Sequence, residues 1–156
     1  MSDGYQRGPF ITLLIEDNPD HAELIMRSFE EHDVVNTVYR IADGAETLDF
    51  LFRRGEYTDP KKSPRPNLIL LDLRMPRIDG LEVLREIKTS DVTRHIPVVI
   101  LTSSEAEVDV IRAYERYANS YIVKPGDYNE LCRLVKELGS YWLTWNYSFR
   151  ERERGG

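Results

Sequence analysis

The chain has 156 residues, 41% of them hydrophobic and 31% charged, which suits one domain with a full core and excludes a mostly disordered segment. Its formal net charge of -6 argues against a chain built to grip DNA, and no helix-turn-helix or zinc-finger pattern is present. The longest apolar runs fall far short of a membrane span and no signal-peptide layout opens the chain, so a cytoplasmic location is expected.

Short apolar runs alternate with helical patterns, the mark of α/β architecture. The first strand is predicted over Phe10–Ile15. A helix follows, with Asn18 as its N-cap and Pro19 at the first helical position. Ala22, Ile25, Met26 and Phe29 fall on one stripe of it. A second strand at 37–41 mixes polar and apolar residues, as an edge strand does. A second helix is expected near 45–52, then a loop over 53–66, which holds three prolines and a glycine. The run 68–71 is apolar throughout and reads as a central parallel strand covered on both faces. Further on come a helix at 80–88, a strand at 98–101 and a helix at 105–117, with Val110, Ala113, Tyr114 and Tyr117 on one stripe. A fifth strand at 120–123 precedes a helix marked by Leu131, Leu134, Val135 and Leu138. Right-handed crossovers turn five such units into a doubly wound five-stranded parallel sheet. The expected division is an N-terminal extension at 1–9, the domain at 10–140, and an arm and tail at 141–156.

The chemistry-bearing residues stand just after the strands. Glu16 and Asp17 follow the first, Asp72 the third, Thr102 the fourth and Lys124 the fifth. That edge of an open parallel sheet is where ligands bind. Three clustered carboxylates repel one another and call for a cation, and an all-oxygen site with few protein ligands suits Mg²⁺. Asp72 can then attack a phosphoryl group as a carboxylate nucleophile. Mg²⁺, the Lys124 ammonium and the Thr102 hydroxyl are groups that stabilise the charge on the transferring phosphoryl oxygens. Thr102 and then Tyr121 can move toward the product, which makes a switch. Taken singly, each residue has a plainer reading as a cap, a dipole partner or a solvated charge. Their placement at one edge, in an order that suits one pocket, favours the chemistry.

The stretches Leu14-Ile15-Glu16-Asp17-Asn18, Leu71-Asp72-Leu73-Arg74-Met75-Pro76 with Asp79-Gly80, Leu101-Thr102-Ser103 and Tyr121-Ile122-Val123-Lys124-Pro125 resemble the response-regulator receiver domains of two-component signalling. The resemblance implies a flavodoxin-like sheet in the order 2-1-3-4-5. It implies that Asp72 is the phosphoacceptor and that Asp17 and Asp72 are direct Mg²⁺ ligands. Glu16 would serve directly or through water, and the main-chain carbonyl of Arg74 would fill the remaining protein position. Thr102 is implied as the switch hydroxyl, Tyr121 as the rotating aromatic and Lys124 as the phosphate-contacting ammonium. A cis Lys124–Pro125 bond is implied as well. Arg74 and Ser104 are implied to tune the rate of phosphate loss. The Glu-Asp-Asn-Pro start, the long 53–66 loop and the continuation past the last helix look like the small regulators that partner bacterial phytochrome histidine kinases. A sensor histidine kinase is therefore the expected partner. The chain is expected to be no enzyme beyond its own phosphorylation and dephosphorylation.

Order argues against a haloacid-dehalogenase-type phosphohydrolase, which places its Asp nucleophile after the first strand. A nucleotide- or flavin-binding domain would need a glycine-rich first turn, and Glu16–Pro19 has no glycine. A receiver-like domain that only binds partners would not need the complete acidic pocket. Cys132 is alone, which excludes an internal disulfide and a cysteine metal cage. His21, His32 and His95 are expected at the surface. Tyr141, Trp142, Trp145, Tyr147 and Phe149 are dense for a terminal segment. They either fold back on the domain or, as the subfamily resemblance favours, join helix four, strand five and helix five in a homodimer contact. The last residues, 150–156, are expected to be solvated.

Overall fold

The computed structural model describes residues 8–146. Five strands form one parallel sheet: β1 (Phe10–Ile15), β2 (Asn36–Ile41), β3 (Leu68–Leu71), β4 (Val98–Thr102) and β5 (Ser120–Val123). Their spatial order is β2-β1-β3-β4-β5. The helices are α1 (Pro19–Glu30), α2 (Gly44–Phe52), α3 (Gly80–Thr89), α4 (Glu107–Glu115) and α5 (Tyr128–Ser140).

Successive strand residues face opposite sides of a sheet, and here both sides are apolar. Leu13, Ile15, Ile69, Leu71, Val98 and Ile100 share a core with Phe50 and Leu51 of α2 and Leu84 and Ile87 of α3. Their strand neighbours Leu14, Leu68, Leu70, Val99 and Leu101 pack with Ile25 and Phe29 of α1 and with Leu131, Val135 and Leu138 of α5. Double coverage explains the unbroken apolar runs of β3 and β4. Asn18, Asp43, Asp79 and Asp127 cap α1, α2, α3 and α5, each accepting a main-chain N–H from the first turn.

The strand order reverses between β1 and β3, which opens a crevice at their C-terminal ends. Register completes the placement. Ile15 lies opposite Leu71, Leu71 opposite Ile100 and Thr102 opposite Val123. Glu16, Asp72 and Lys124 therefore leave the sheet at one rim, beside Thr102.

Four details differ from the sequence reading. Helix α4 is shorter than 105–117, and of the expected stripe only Ala113 is buried. Tyr117 lies past the helix in a left-handed conformation, φ 65°, and is 76% exposed. Tyr114 also faces outward, and its hydroxyl accepts the main-chain N–H of Tyr121 at 3.2 Å. The 53–66 loop is tied down by a 3-10 turn at Gly55–Tyr57. The Tyr57 ring meets Phe50 edge-on at 5.2 Å, and the buried Ser63 hydroxyl donates to the carbonyls of Tyr57 and Asp59. Helix α5 runs on into a π turn, Tyr141–Trp145, whose Trp142 and Leu143 join the α1–α5 core. A boundary at 140 would cut through that packing. The Lys124–Pro125 bond, expected to be cis, is trans, as is every other peptide bond among the described residues. Trans is the intrinsically favoured isomer even before proline.

Residues 1–7, Tyr147, Phe149 and the 150–156 tail lie outside the described residues. No described helix is long and apolar enough to cross a membrane.

Gly80 sets the distance between α3 and the site. A Cβ there would lie 2.5 Å from the Leu73 Cα and 2.7 Å from the Asp72 carbonyl oxygen. Both are main-chain atoms, so the strand end itself would have to move. Gly80→Ala is expected to destabilise the fold by about 1–3 kcal/mol, the range for overpacking. Urea unfolding measures this, and a stability equal to wild type would contradict the close approach.

Candidate functional site

The site is built around Asp72, which is buried at the end of β3. Its Oδ1 accepts from the Thr102 hydroxyl at 2.8 Å and from the Arg74 main-chain N–H at 3.1 Å. Its Oδ2 accepts from Lys124 Nζ at 3.0 Å. The same ammonium donates to Glu16 Oε1 in a short ion pair. Lys124 and Thr102 are buried, and Glu16 is only 1% exposed. Asp17 stands at the solvent side. Carboxylate oxygens of Glu16, Asp17 and Asp72 lie within 4.8 Å of one another.

This geometry suits a divalent cation. Hard cations take oxygen ligands, and three carboxylates in one crevice supply them. One buried atom fits the same reading: Glu16 Oε2 has no hydrogen-bond partner among the described residues. A buried acceptor left unpaired is costly, and a cation would satisfy it.

The two buried acids are pushed apart in acidity. Burial, with the neighbouring Asp72 carboxyl adding to it, raises Glu16 to about 8, and Lys124 only partly offsets this. Burial acts against the charge on Asp72 too. There the adjoining Glu16 carboxyl, the hydrogen bonds from the Arg74 N–H and Thr102, and the Lys124 charge outweigh it and hold the carboxyl below its ordinary value. Asp72 is thus held the more acidic of the two carboxyls.

Tyr121 is half-buried, and its hydroxyl donates to the Ser104 carbonyl at 2.9 Å. The buried Ser104 hydroxyl donates to Asp109 Oδ2 of α4 at 2.6 Å, and its main-chain N–H points to Thr102 Oγ1 at 3.4 Å. Ser103 is exposed, as is the Arg74 side chain.

A family model for the response regulator receiver domain matches residues 12–136. The chain belongs to this family. The receiver is 45% identical over 140 residues to a probable methanogenesis regulatory protein, FilR2, of Methanothrix harundinacea, covering 90% of this chain and 88% of that protein. It is 40% identical over 135 residues to the response regulator Rcp1 of Synechocystis, covering 86% and 90%. The Mn²⁺-bound crystal structure of Rcp1 superposes with a TM-score of 0.86 at 38% identity, over 90% of this chain and 99% of that one. The phosphorylated cyanobacterial phytochrome response regulator RcpA does so with a TM-score of 0.85 at 35% identity, over 90% and 99%. The fold and the likeness to phytochrome response regulators thus agree with the sequence reading.

Of the residues singled out in the sequence of this receiver, Glu16, Asp17, Asp72, Thr102 and Lys124 meet at the rim, while Tyr121 lies within β5 opposite Ile100 and reaches the Ser104 carbonyl. Two further residues reach the rim without having been expected there. His21, in the first turn of α1, is 31% exposed at its side chain, with Nδ1 3.1 Å from Lys124 Nζ and 3.3 Å from Glu16 Oε1. Burial, then the nearby Lys124 charge, holds its imidazole below its usual value. Arg40, at the end of β2, donates from Nε to the Glu16 carbonyl at 3.1 Å and from Nη2 to the Asp17 carbonyl at 3.3 Å, which braces the acidic turn. Its only sequence signal is a cation at the end of an edge strand.

Glu16 predicts how metal uptake depends on pH. With its value near 8, the carboxyl carries a proton below that pH, and a cation must displace it. Divalent-ion affinity should therefore rise with pH and level off above about 8, falling roughly tenfold per unit below it. Calorimetric Mn²⁺ titrations in buffers of different ionisation enthalpy should show nearly one proton released at pH 6.5 and almost none at pH 9. Release that does not change with pH would rule out Glu16 as the source.

Proposed function

We propose that this receiver is a phosphorylation-activated response regulator that accepts a phosphoryl group on Asp72 from a sensor histidine kinase, with Mg²⁺ as its cation. The observation that carries this reading is the grip on Asp72: a carboxylate held by an ammonium, a hydroxyl and a main-chain N–H, beside two further acids. In the transfer, an Asp72 oxygen attacks phosphorus, and the bond from phosphorus to the donor nitrogen breaks with its electron pair leaving on the imidazole. Glu16, Asp17, Asp72 and the Arg74 carbonyl would hold Mg²⁺, which when bound neutralises charge on the phosphoryl oxygens. Lys124 follows the phosphoryl oxygen that it reaches, and Thr102 donates to another. Arg74 and Ser104, two beyond Asp72 and Thr102, bear on the water that later removes the group. Catalysis extends no further than the chain's own phosphorylation and dephosphorylation.

Thr102, Ser104 and Tyr121 form the switch. A shift of the Thr102 hydroxyl toward the phosphoryl group disturbs its contact with the Ser104 N–H, and the Ser104 carbonyl holds Tyr121. The kinase is proposed to be a bacterial phytochrome, supported by the likeness to RcpA, which is a phytochrome response regulator. A cytoplasmic location belongs to the same proposal, because the kinase draws its phosphoryl group from ATP.

The proposal includes a homodimer built on α4, β5, α5 and the terminal arm. Val108, Ile111, Tyr114, Tyr117, Tyr141 and Trp145 are all large, apolar and exposed. Exposed apolar side chains in such number mark interaction sites. A groove of about 530 Å³ between β5 and α5, lined in part by Ile122, Leu134, Tyr141 and Trp142, runs through the same region.

Incubation with acetyl phosphate and Mg²⁺ should add one phosphoryl group to the wild type and none to Asp72→Asn, as read by intact mass. Equal labelling of both proteins would reject Asp72. For the dimer, the double variant Ile111→Ser, Trp145→Ser should sediment at half the wild-type mass. It keeps the buried Trp142 and Leu143, so the core stays filled. An unchanged mass would remove this face from the interface.

A further inference from the structure

We propose that His21 is a positioning residue for phosphoryl transfer, holding the Lys124 ammonium in place by accepting its third N–H. The inference rests on the reading of Asp72 as phosphoacceptor. A lysine ammonium has three donors and no acceptor. Two of the three go to Glu16 Oε1 and Asp72 Oδ2. The third direction is taken by His21 Nδ1 at 3.1 Å. Nδ1 also lies 3.3 Å from Glu16 Oε1, and to accept from the ammonium, which only donates, it carries its lone pair with the imidazole proton on Nε2.

The main chain that carries the imidazole is well anchored. His21 occupies the third position of α1, directly after Pro19 and Asp20, and its main-chain N–H donates to the Asn18 side chain at 3.1 Å. The cap that starts the helix therefore also fixes the point from which the ring projects. The partner it presents is uncharged, which is the useful property here. A third carboxylate would hold the ammonium harder and would add negative charge to a crevice that must admit a phosphoryl group. An apolar side chain would leave one N–H to compete for water at the mouth. A neutral acceptor fixes the direction of the Cε–Nζ bond and leaves the two other N–H groups aimed inward, one of them free to pass from Asp72 to an incoming oxygen.

Three proteins test this: wild type, His21→Ala and His21→Asn. The asparagine Oδ1 sits at the same branch position as Nδ1 and can accept the same hydrogen bond. Uptake of the phosphoryl group from acetyl phosphate with Mg²⁺ is followed by intact mass under single-turnover conditions, with thermal unfolding alongside. His21→Ala is expected to slow uptake about tenfold with an unchanged midpoint, as loss of one hydrogen bond to a charged group implies, and His21→Asn to return it to within about twofold of wild type. A purely structural histidine would not be rescued in this way. Uptake by His21→Ala at the wild-type rate, or by His21→Asn as slowly as by His21→Ala, overturns the positioning role and leaves the Asp72 reading intact. Failure of the wild type to take up any phosphoryl group overturns the Asp72 reading, and the role of His21 with it.

Discussion

Acidic groups crowded at a sheet rim are the constraint on which the rest of the molecule depends. Glu16, Asp17 and Asp72 bring carboxylate oxygens within 4.8 Å of one another, and two of these side chains are buried. Such a cluster is tolerated only if a positive charge lies close, and Lys124 supplies one from a strand far away in sequence. The strand order is what makes this meeting take place. Because β1 sits between β2 and β3, and β4 between β3 and β5, the turn after β1 faces the end of β5 across the intervening strand ends. The capped helix starts, the close approach at Gly80 and the Arg40 brace all hold main chain in position around that meeting.

The same contacts give the site a route to the surface. Thr102 touches Asp72 with its hydroxyl, and the Ser104 N–H points back to that hydroxyl. Ser104 in turn holds Tyr121 through its carbonyl and Asp109 through its side chain. Asp109 belongs to the first turn of α4, the helix that carries the exposed Val108, Ile111 and Tyr114. A change at Asp72 is thus a few hydrogen bonds away from an apolar face. In the proposed reading this continuity is the mechanism, since a switch needs a packed element that the chemical event can bias.

Most of this was legible in the sequence, and the reason is local. Strand β3 is apolar throughout, and β4 is apolar up to Thr102, because helices cover both of their faces. The acidic pair, Asp72 and Lys124 follow strands directly and Thr102 ends one, so a correct strand list places all of them at one edge. Contacts that depend on side-chain reach were not legible. Arg40 acts on main-chain carbonyls, which leave no mark in the sequence. His21 meets a lysine 103 positions away and sits on a helix stripe with no metal-binding pattern. The α4 stripe misled because aromatic residues at helical spacing usually face a core, whereas Tyr117 lies beyond the helix end and Tyr114 looks outward. The terminal aromatics were visible as a group, but only packing separates Trp142, 8% exposed, from Trp145, 79% exposed.

The Tyr114 hydroxyl has a consequence for how copies of this chain can meet. Strand β5 is an outer strand, and such a strand offers unpaired main-chain groups to any stray β segment. Here the Tyr121 N–H is already engaged by Tyr114 from the neighbouring helix. A strand added alongside β5 would have to break that bond before it formed its own. Runaway sheet-to-sheet polymerisation is thereby discouraged at this margin, and the proposed homodimer would be made through side chains, in a contact that can close and then stop.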